Sequence, residues 1–314
     1  MTASTPLPPD RPLTPVFEST PGLPAPQFWQ WQGYSICYQT QGSEGVAIVL
    51  VHGFGASWQH WRKNIPELAT IGRVYAIDLI GFGGSAKPAP GQPLNYTFET
   101  WGQQIVDFCR EVVGSPAILV GNSVGCIAAM QAAVIAPEWV VKVALLNCSL
   151  RLLHDRRRAE LPWFRRLGAP VLQNLLALRP IGHGFFKLLA QPKTVRKILL
   201  QAYCDPTAVT DELVNVLMVP AADPGAADVF LAFTRYSQGP LPEDLLAILP
   251  CPALLIWGEA DPWEPVELGR KLATFAAVER FVGLPGVGHC PQDEAPTQVN
   301  ALLKDWIFPT AAPR

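Results

Sequence analysis

Short apolar runs recur along this chain, and stretches of helical character separate them. Residues 46–51, 74–79, 118–121, 141–147 and 254–257 read as strands, and 280–282 as one more. Residues 59–68, 98–113 and 295–306 read as helices. Strands this continuously apolar have no wet face, so they belong in a parallel sheet with helices on both sides. In such sheets the working groups sit at the carboxyl ends of the strands. His52, Ser123 and Asp261 fall there. Residues 27–42 alternate aromatic and polar side chains, as a half-exposed hairpin does.

The alternation fails at two places. Residues 1–26 hold eight prolines and no apolar period, which predicts an extended or disordered tail. Residues 149–240 have helical character and no convincing strand, which predicts an insertion packed over the sheet as a lid. The expected organisation is a tail at 1–26, a core from 27–148 and 241–314, and a helical lid at 149–240. The lid is lopsided in charge. Residues 149–200 carry eleven Lys and Arg against two Asp and Glu, whereas 201–250 carry one Arg against seven acids. A basic, apolar helical segment can lie on an anionic membrane surface. The competing reading turns its apolar residues to the core and its arginines to water.

With 314 residues, 49% of them apolar and 16% charged, the chain can bury one large core. A net charge of −2 argues against bulk nucleic-acid binding. No apolar run approaches the roughly 18 residues of a membrane span. The first residues show neither a basic n-region nor an apolar h-region, so no secretory signal is expected. Seven dispersed cysteines without a C-x-x-C suggest reduced thiols in a cytosol-like compartment, with Cys290 beside His289 packing there.

Gly121-Asn122-Ser123-Val124-Gly125 stands between an apolar strand and an apolar helix. A strand-to-helix turn this sharp strains the serine backbone and admits only small residues two before and two after it. The hydroxyl is then presented at a helix N-terminus. A serine hydroxyl needs a general base, and the base needs an acid to orient it. His289, in the Gly-rich loop before the last helix, suits the base. His52 reads as a structural imidazole bonding its own loop, and His60, His154 and His183 lie in helical or lid segments. Asp261 follows the 254–257 strand and suits the acid, ahead of Glu259 and Glu264. Asp78 reads as a tie for the glycine loop that follows it. An oxyanion needs two N–H donors, and the backbones of Phe54 and Val124 are the candidates. Neither glycine loop has the spacing or the lysine of a phosphate cradle.

His52-Gly53-Phe54-Gly55, Asp78 to Ser85, the serine pentapeptide, Gly258 to Asp261 and Gly286 to His289 follow one another in an order that strongly resembles the α/β-hydrolase superfamily. The resemblance covers roughly residues 27–308 and implies the triad Ser123, Asp261 and His289. Epoxide hydrolases and haloalkane dehalogenases are similar but carry aspartate at the nucleophile position, so Ser123 points to ester or related acyl substrates. A finer likeness rests on 119–125, 144–148 and 286–294, which look like the chlorophyll dephytylase and pheophytinase group. That likeness implies a phytyl ester of chlorophyll or pheophytin drawn from a photosynthetic membrane. It implies no metal or organic cofactor, any magnesium belonging to the substrate. It also implies a cytoplasmic enzyme, peripheral at a thylakoid membrane. Without a long Ser- and Arg-rich transit region, the cyanobacterial type fits better than a plant precursor. Two alternatives stand beside it: a general carboxylesterase or lipase-like hydrolase for smaller apolar esters, and a non-catalytic pigment-binding protein on the same fold.

Overall fold

The computed structural model describes residue 20 and residues 22–91, 94–152, 154–160, 175–176 and 178–309. Eight strands form one sheet: β1 (Gln27–Trp31), β2 (Tyr34–Gln41), β3 (Val46–Val51), β4 (Gly72–Ile77), β5 (Ala117–Asn122), β6 (Val140–Leu146), β7 (Ala253–Gly258) and β8 (Val278–Leu284). Their order is β1-β2-β4-β3-β5-β6-β7-β8. The β1–β2 hairpin and the β2–β4 pair are antiparallel, and every pair from β4 through to β8 is parallel. Side chains alternate across each strand. Val49, Val51, Leu119, Val143, Leu145 and Leu255 enter one core, while Ile48, Leu50, Val120, Ala144, Leu146 and Leu254 enter the other. Helices α1 (Phe98–Phe108) and α2 (Val124–Ile135) cover the first face, and α7 (Pro296–Ile307) covers the second.

Between β6 and β7 the described residues form helices and no strand. The longer ones are α3 (Arg179–Leu189), α4 (Pro192–Ala202), α5 (Asp211–Ala221) and α6 (Ala226–Arg235). Within the basic apolar stretch, residues 153, 161–174 and 177, with Trp163, Phe164, Leu167, Val171 and Leu172 among them, lie outside the described residues.

Three expectations change. The helix at 59–68 is two pieces, a 3-10 turn at Trp58–Trp61 and a short α-helix at Ile65–Leu68. Pro66 stands in the first turn of the second piece, where it can begin a helix but cannot continue one. The strand at 74–79 stops at Ile77: Asp78 N–H still donates to Cys37 O of β2, but Cys37 N–H goes to Ser85 Oγ and Leu79 N–H to the His52 ring. Residues 1–19 and 21 of the expected tail lie outside the described residues, but 22–26 do not trail away. Leu23 packs against the core and Gln39 Nε2 donates to Pro24 O at 2.5 Å. All seven cysteines are free thiols, six of them buried and Cys204 exposed.

Candidate active site

β5 delivers Ser123 into α2 through a turn that only glycine permits. Ser123 has φ 55° and ψ −120°, a strained conformation for a residue with a side chain. A Cβ on Gly121 would lie 2.6 Å from the backbone of Gly125 and Cys126. One on Gly125 would lie 2.5 Å from the carbonyl oxygens of Val51 and His52. Ser123 N–H donates to Leu146 O at 3.0 Å, which ties the turn to β6.

The loop after β3 runs against this turn. A Cβ on Gly53 would stand 3.2 Å from Ser123 Cβ, so Phe54 follows at the closest approach. Among the described residues neither Phe54 N–H nor Val124 N–H donates a hydrogen bond. Two donors beside the serine are therefore uncommitted.

Asp261 sits in the turn after β7, and four N–H donors fix its carboxylate. Oδ2 accepts from His289 Nδ1 and from Asn147 Nδ2, each at 2.7 Å. Oδ1 accepts from the backbone of Trp263 at 2.8 Å and of Glu264 at 3.1 Å. Asn122 Nδ2 donates to His289 O at 3.2 Å, so the residue before the serine holds the histidine's backbone. The Trp263 ring lies edge-on to the imidazole at 4.9 Å. The Ser123 hydroxyl makes no hydrogen bond among the described residues. Such contacts commonly tighten only when substrate is bound.

The other histidines are occupied elsewhere. His52 is fully buried, with Nδ1 2.7 Å from Gly53 O and Nε2 accepting from Leu79 N–H at 3.0 Å. Burial holds its pKa down to about 4. His60 is buried against the Tyr203 hydroxyl at 2.9 Å, and burial brings it too down to about 4. His154 bonds Gly239 O at 3.0 Å, and His183 faces Asp228 at 2.8 Å. Asp78 accepts from Trp58 N–H at 2.5 Å and Gly84 N–H at 2.7 Å, and so ties down the glycine loop after it. Cys290 is buried beside Tyr203, and burial raises its thiol pKa.

Residues 48–302 match the family model described as "Alpha/beta hydrolase family". The chain belongs to that family. It is 28% identical over 270 residues to the uncharacterized hydrolase YugF of Bacillus subtilis, covering 86% of this chain and 92% of that one. It is 26% identical to the chloroplastic pheophytinase of Arabidopsis thaliana, over 86% of this chain and 63% of the relative. The chain thus spans less than two thirds of that relative's length. Among solved structures, epoxide hydrolase CorEH superposes with a TM-score of 0.74 at 21% identity, over 91% of this chain and 99% of that one, a likeness of fold.

In this hydrolase two side chains near Asp261 take supporting places that the sequence does not assign them, Asn147 and Glu264, the latter named above only as a weaker candidate for the acid. Asn147 follows β6 with φ 42°, accepts from Gly258 N–H at 2.8 Å and donates to Asp261. Its only signal is an amide where an apolar strand ends. Glu264, three residues past Asp261, is buried and accepts from Leu150 N–H at 3.0 Å. Burial pushes its pKa up to about 7.

Aromatic rings close over the Phe54 loop. Phe54 stacks on Phe233 of α6 at 4.6 Å and meets Phe82 and Phe230 at 5.6 Å each. Phe186 of α3 reaches Phe230 at 5.3 Å. A cavity of about 60 Å³ remains between Phe54, Phe82, Phe186, Val229 and Phe230. A larger cavity of about 650 Å³ lies along α6, lined by Tyr96, Arg179, Asp228 and Arg235, and none of its lining residues belongs to the candidate triad.

Proposed function

We propose that this hydrolase is a serine esterase for a bulky apolar ester, the phytyl ester of chlorophyll or pheophytin. The observation that carries the reading is the aromatic closure of Phe54, Phe82, Phe186, Phe230 and Phe233 beside a strained serine and two uncommitted N–H groups. Apolar walls with a few placed polar groups suit an apolar ligand held by one reacting carbonyl. The likeness to pheophytinase supports the pigment. Ser123 supports an acyl substrate over the epoxides that CorEH is named for.

In this reading His289 takes the proton of Ser123 as Oγ attacks the ester carbonyl. Phe54 and Val124 N–H groups hold the oxyanion. His289 then protonates the departing alcohol, and the acyl group stays on Ser123. Water, deprotonated by His289, attacks that acyl carbon, and the carboxylic acid leaves as the serine recovers its proton. Asp261 keeps His289 in one orientation throughout. The reading needs no metal or organic cofactor in the protein. It also has the enzyme work in the cytoplasm at the face of a photosynthetic membrane, with the inserted helices touching the lipid.

A second reading takes the small size of the cavity at face value: a carboxylesterase for short apolar esters. One assay separates the two. Purified protein is incubated with chlorophyll a, pheophytin a and p-nitrophenyl butyrate, and the pigments are extracted and chromatographed. Dephytylated product with the wild type, and a fall of about 10⁶-fold in Ser123→Ala, is expected when the triad acts as a unit. Ser123-dependent cleavage of the butyrate alone moves the assignment to short esters. Undiminished turnover in Ser123→Ala sinks both, and tight pigment binding without turnover would make the protein a carrier.

A further inference from the structure

The backbone of His289 is held from two directions. Asn122 donates to its carbonyl from the serine turn. Its own N–H donates to Ala202 O at 2.8 Å, and Ala202 is the last residue of α4 in the inserted helices. The two chains are pressed together here. A Cβ on Gly288 would lie 2.1 Å from Ala202 O and 3.0 Å from Cys204 N, so no larger residue fits without parting them.

One carboxylate spans the contact. Glu294 Oε2 accepts from Gly288 N–H at 2.7 Å, and Oε1 accepts from Asp205 N–H at 2.6 Å. Both partners are donors, one in the histidine loop and one in the insertion. A carboxylate satisfies both, whereas an amide offers one oxygen and turns an NH₂ against the other donor. A buried relay lies next to it. Tyr203 hydroxyl donates to Asp293 Oδ2 at 2.9 Å, and Asp293 pairs with Arg62 at 2.9 Å and Lys63 at 3.0 Å. Tyr203 is 3% exposed and Asp293 fully buried, so neither partner has water to fall back on.

We infer that Glu294 is a positioning residue that joins the inserted helices to the histidine loop, so that the seating of those helices sets where His289 stands. Catalytic geometry is sensitive at this scale, because an ångström of misplacement can cost about 10²-fold in rate. The effect on rate rests on the serine-esterase reading; the joint itself does not. Separate readouts therefore test the two.

The experiment is hydrogen exchange on the full chain, followed by mass spectrometry, with kinetics on p-nitrophenyl butyrate alongside. The variants are Glu294→Gln and, as a second route to the same joint, Tyr203→Phe, each shown to be folded by its melting curve. Faster exchange is expected in peptides covering 286–290 and 203–206 together, in both variants. In Glu294→Gln kcat is expected to fall by roughly 10²-fold with KM within about twofold of wild type. Exchange that rises in one segment alone, or in neither, overturns the inference, as does a wild-type kcat in Glu294→Gln. If the wild type shows no Ser123-dependent hydrolysis, the esterase reading falls, and the paired exchange alone decides the joint.

Discussion

Asn147 and Glu264 show what a single side chain does here through its protein partners. Asn147 uses both ends of its amide to hold the end of β7 and the carboxylate of Asp261. Glu264 is a buried acid whose pKa stands at about 7, raised by desolvation from an ordinary 4.5. Below pH 4.5 the group is protonated in the folded and the unfolded chain. Between 4.5 and 7 the unfolded chain ionises first and the folded chain keeps the proton, so stability falls as pH rises. Glutamine has no such loss. The melting temperature of Glu264→Gln is therefore expected to gain on wild type between pH 4.5 and 8, by an amount worth on the order of a few kcal/mol. Melting curves at the two pH values check it, and a difference independent of pH refutes it. His52 and His60 act with the opposite sign, since burial lowers them to about 4 and stability is lost as pH falls from 6.5. Comparing variant with wild type cancels their share. Ser123, Asp261 and His289 are legible as candidates because each follows a recognisable strand in a turn that carries glycine. The supporting contacts of Asn147 and Glu264 are not, because their partners lie in other segments: Asn147 bonds Asp261 across 114 positions, and Glu264 bonds Leu150 across the same separation.

Among elements, the serine turn is a tight joint. Gly125 lies where α2 crosses the end of β3, and a methyl group there would meet two carbonyl oxygens at 2.5 Å. Gly125→Ala is expected to cost about 1–3 kcal/mol as overpacking and to cut Ser123-dependent turnover as well, because the strained turn must shift. Thermal melting and ester kinetics on one preparation test the pair, and an unchanged melting point would contradict the packing argument. The parallel strands were legible from apolar runs because both of their faces are buried. Pro66 marks the break in the sequence, but an apolar period alone does not show where a helix restarts. The continuation of α1 as a π-turn over Cys109–Val113, ended by Gly114 at φ 71°, carries no comparable mark beyond its terminal glycine.

Across the whole molecule, four basic residues of 149–200 meet acids of 201–250. Arg156 meets Asp244, Arg157 meets Glu243, Arg179 meets Asp228 and Arg196 meets Asp211. A sequence shows the two totals, and only the fold shows that they face each other. Lys187, Lys193 and Lys197 have no acidic partner among the described residues. Leu178, at the start of α3, and Ile181, Leu188 and Leu200, along α3 and α4, stand exposed on the same two helices. No single described helix is long and apolar enough to cross a membrane. If these helices touch lipid, as the proposed function has it, the protein is expected to sediment with anionic vesicles at low salt and to be released at high salt. At about 1 kcal/mol per lysine, reversing all three to glutamate is expected to weaken binding by at least about 10²-fold. Equal binding to neutral vesicles, or an unaffected triple variant, would remove the lysines from the reading, and no sedimentation with either vesicle would remove the membrane.

The distribution of thiols gives this molecule a built-in address. Of its seven cysteines only Cys204 is exposed, and it lies between Tyr203 and Asp205, inside the joint that Glu294 closes. A maleimide dye added to the unaltered chain would thus settle at one known place, the seam between the inserted helices and the loop of His289. Motion of that seam could be watched by fluorescence in the native sequence, with no engineered label.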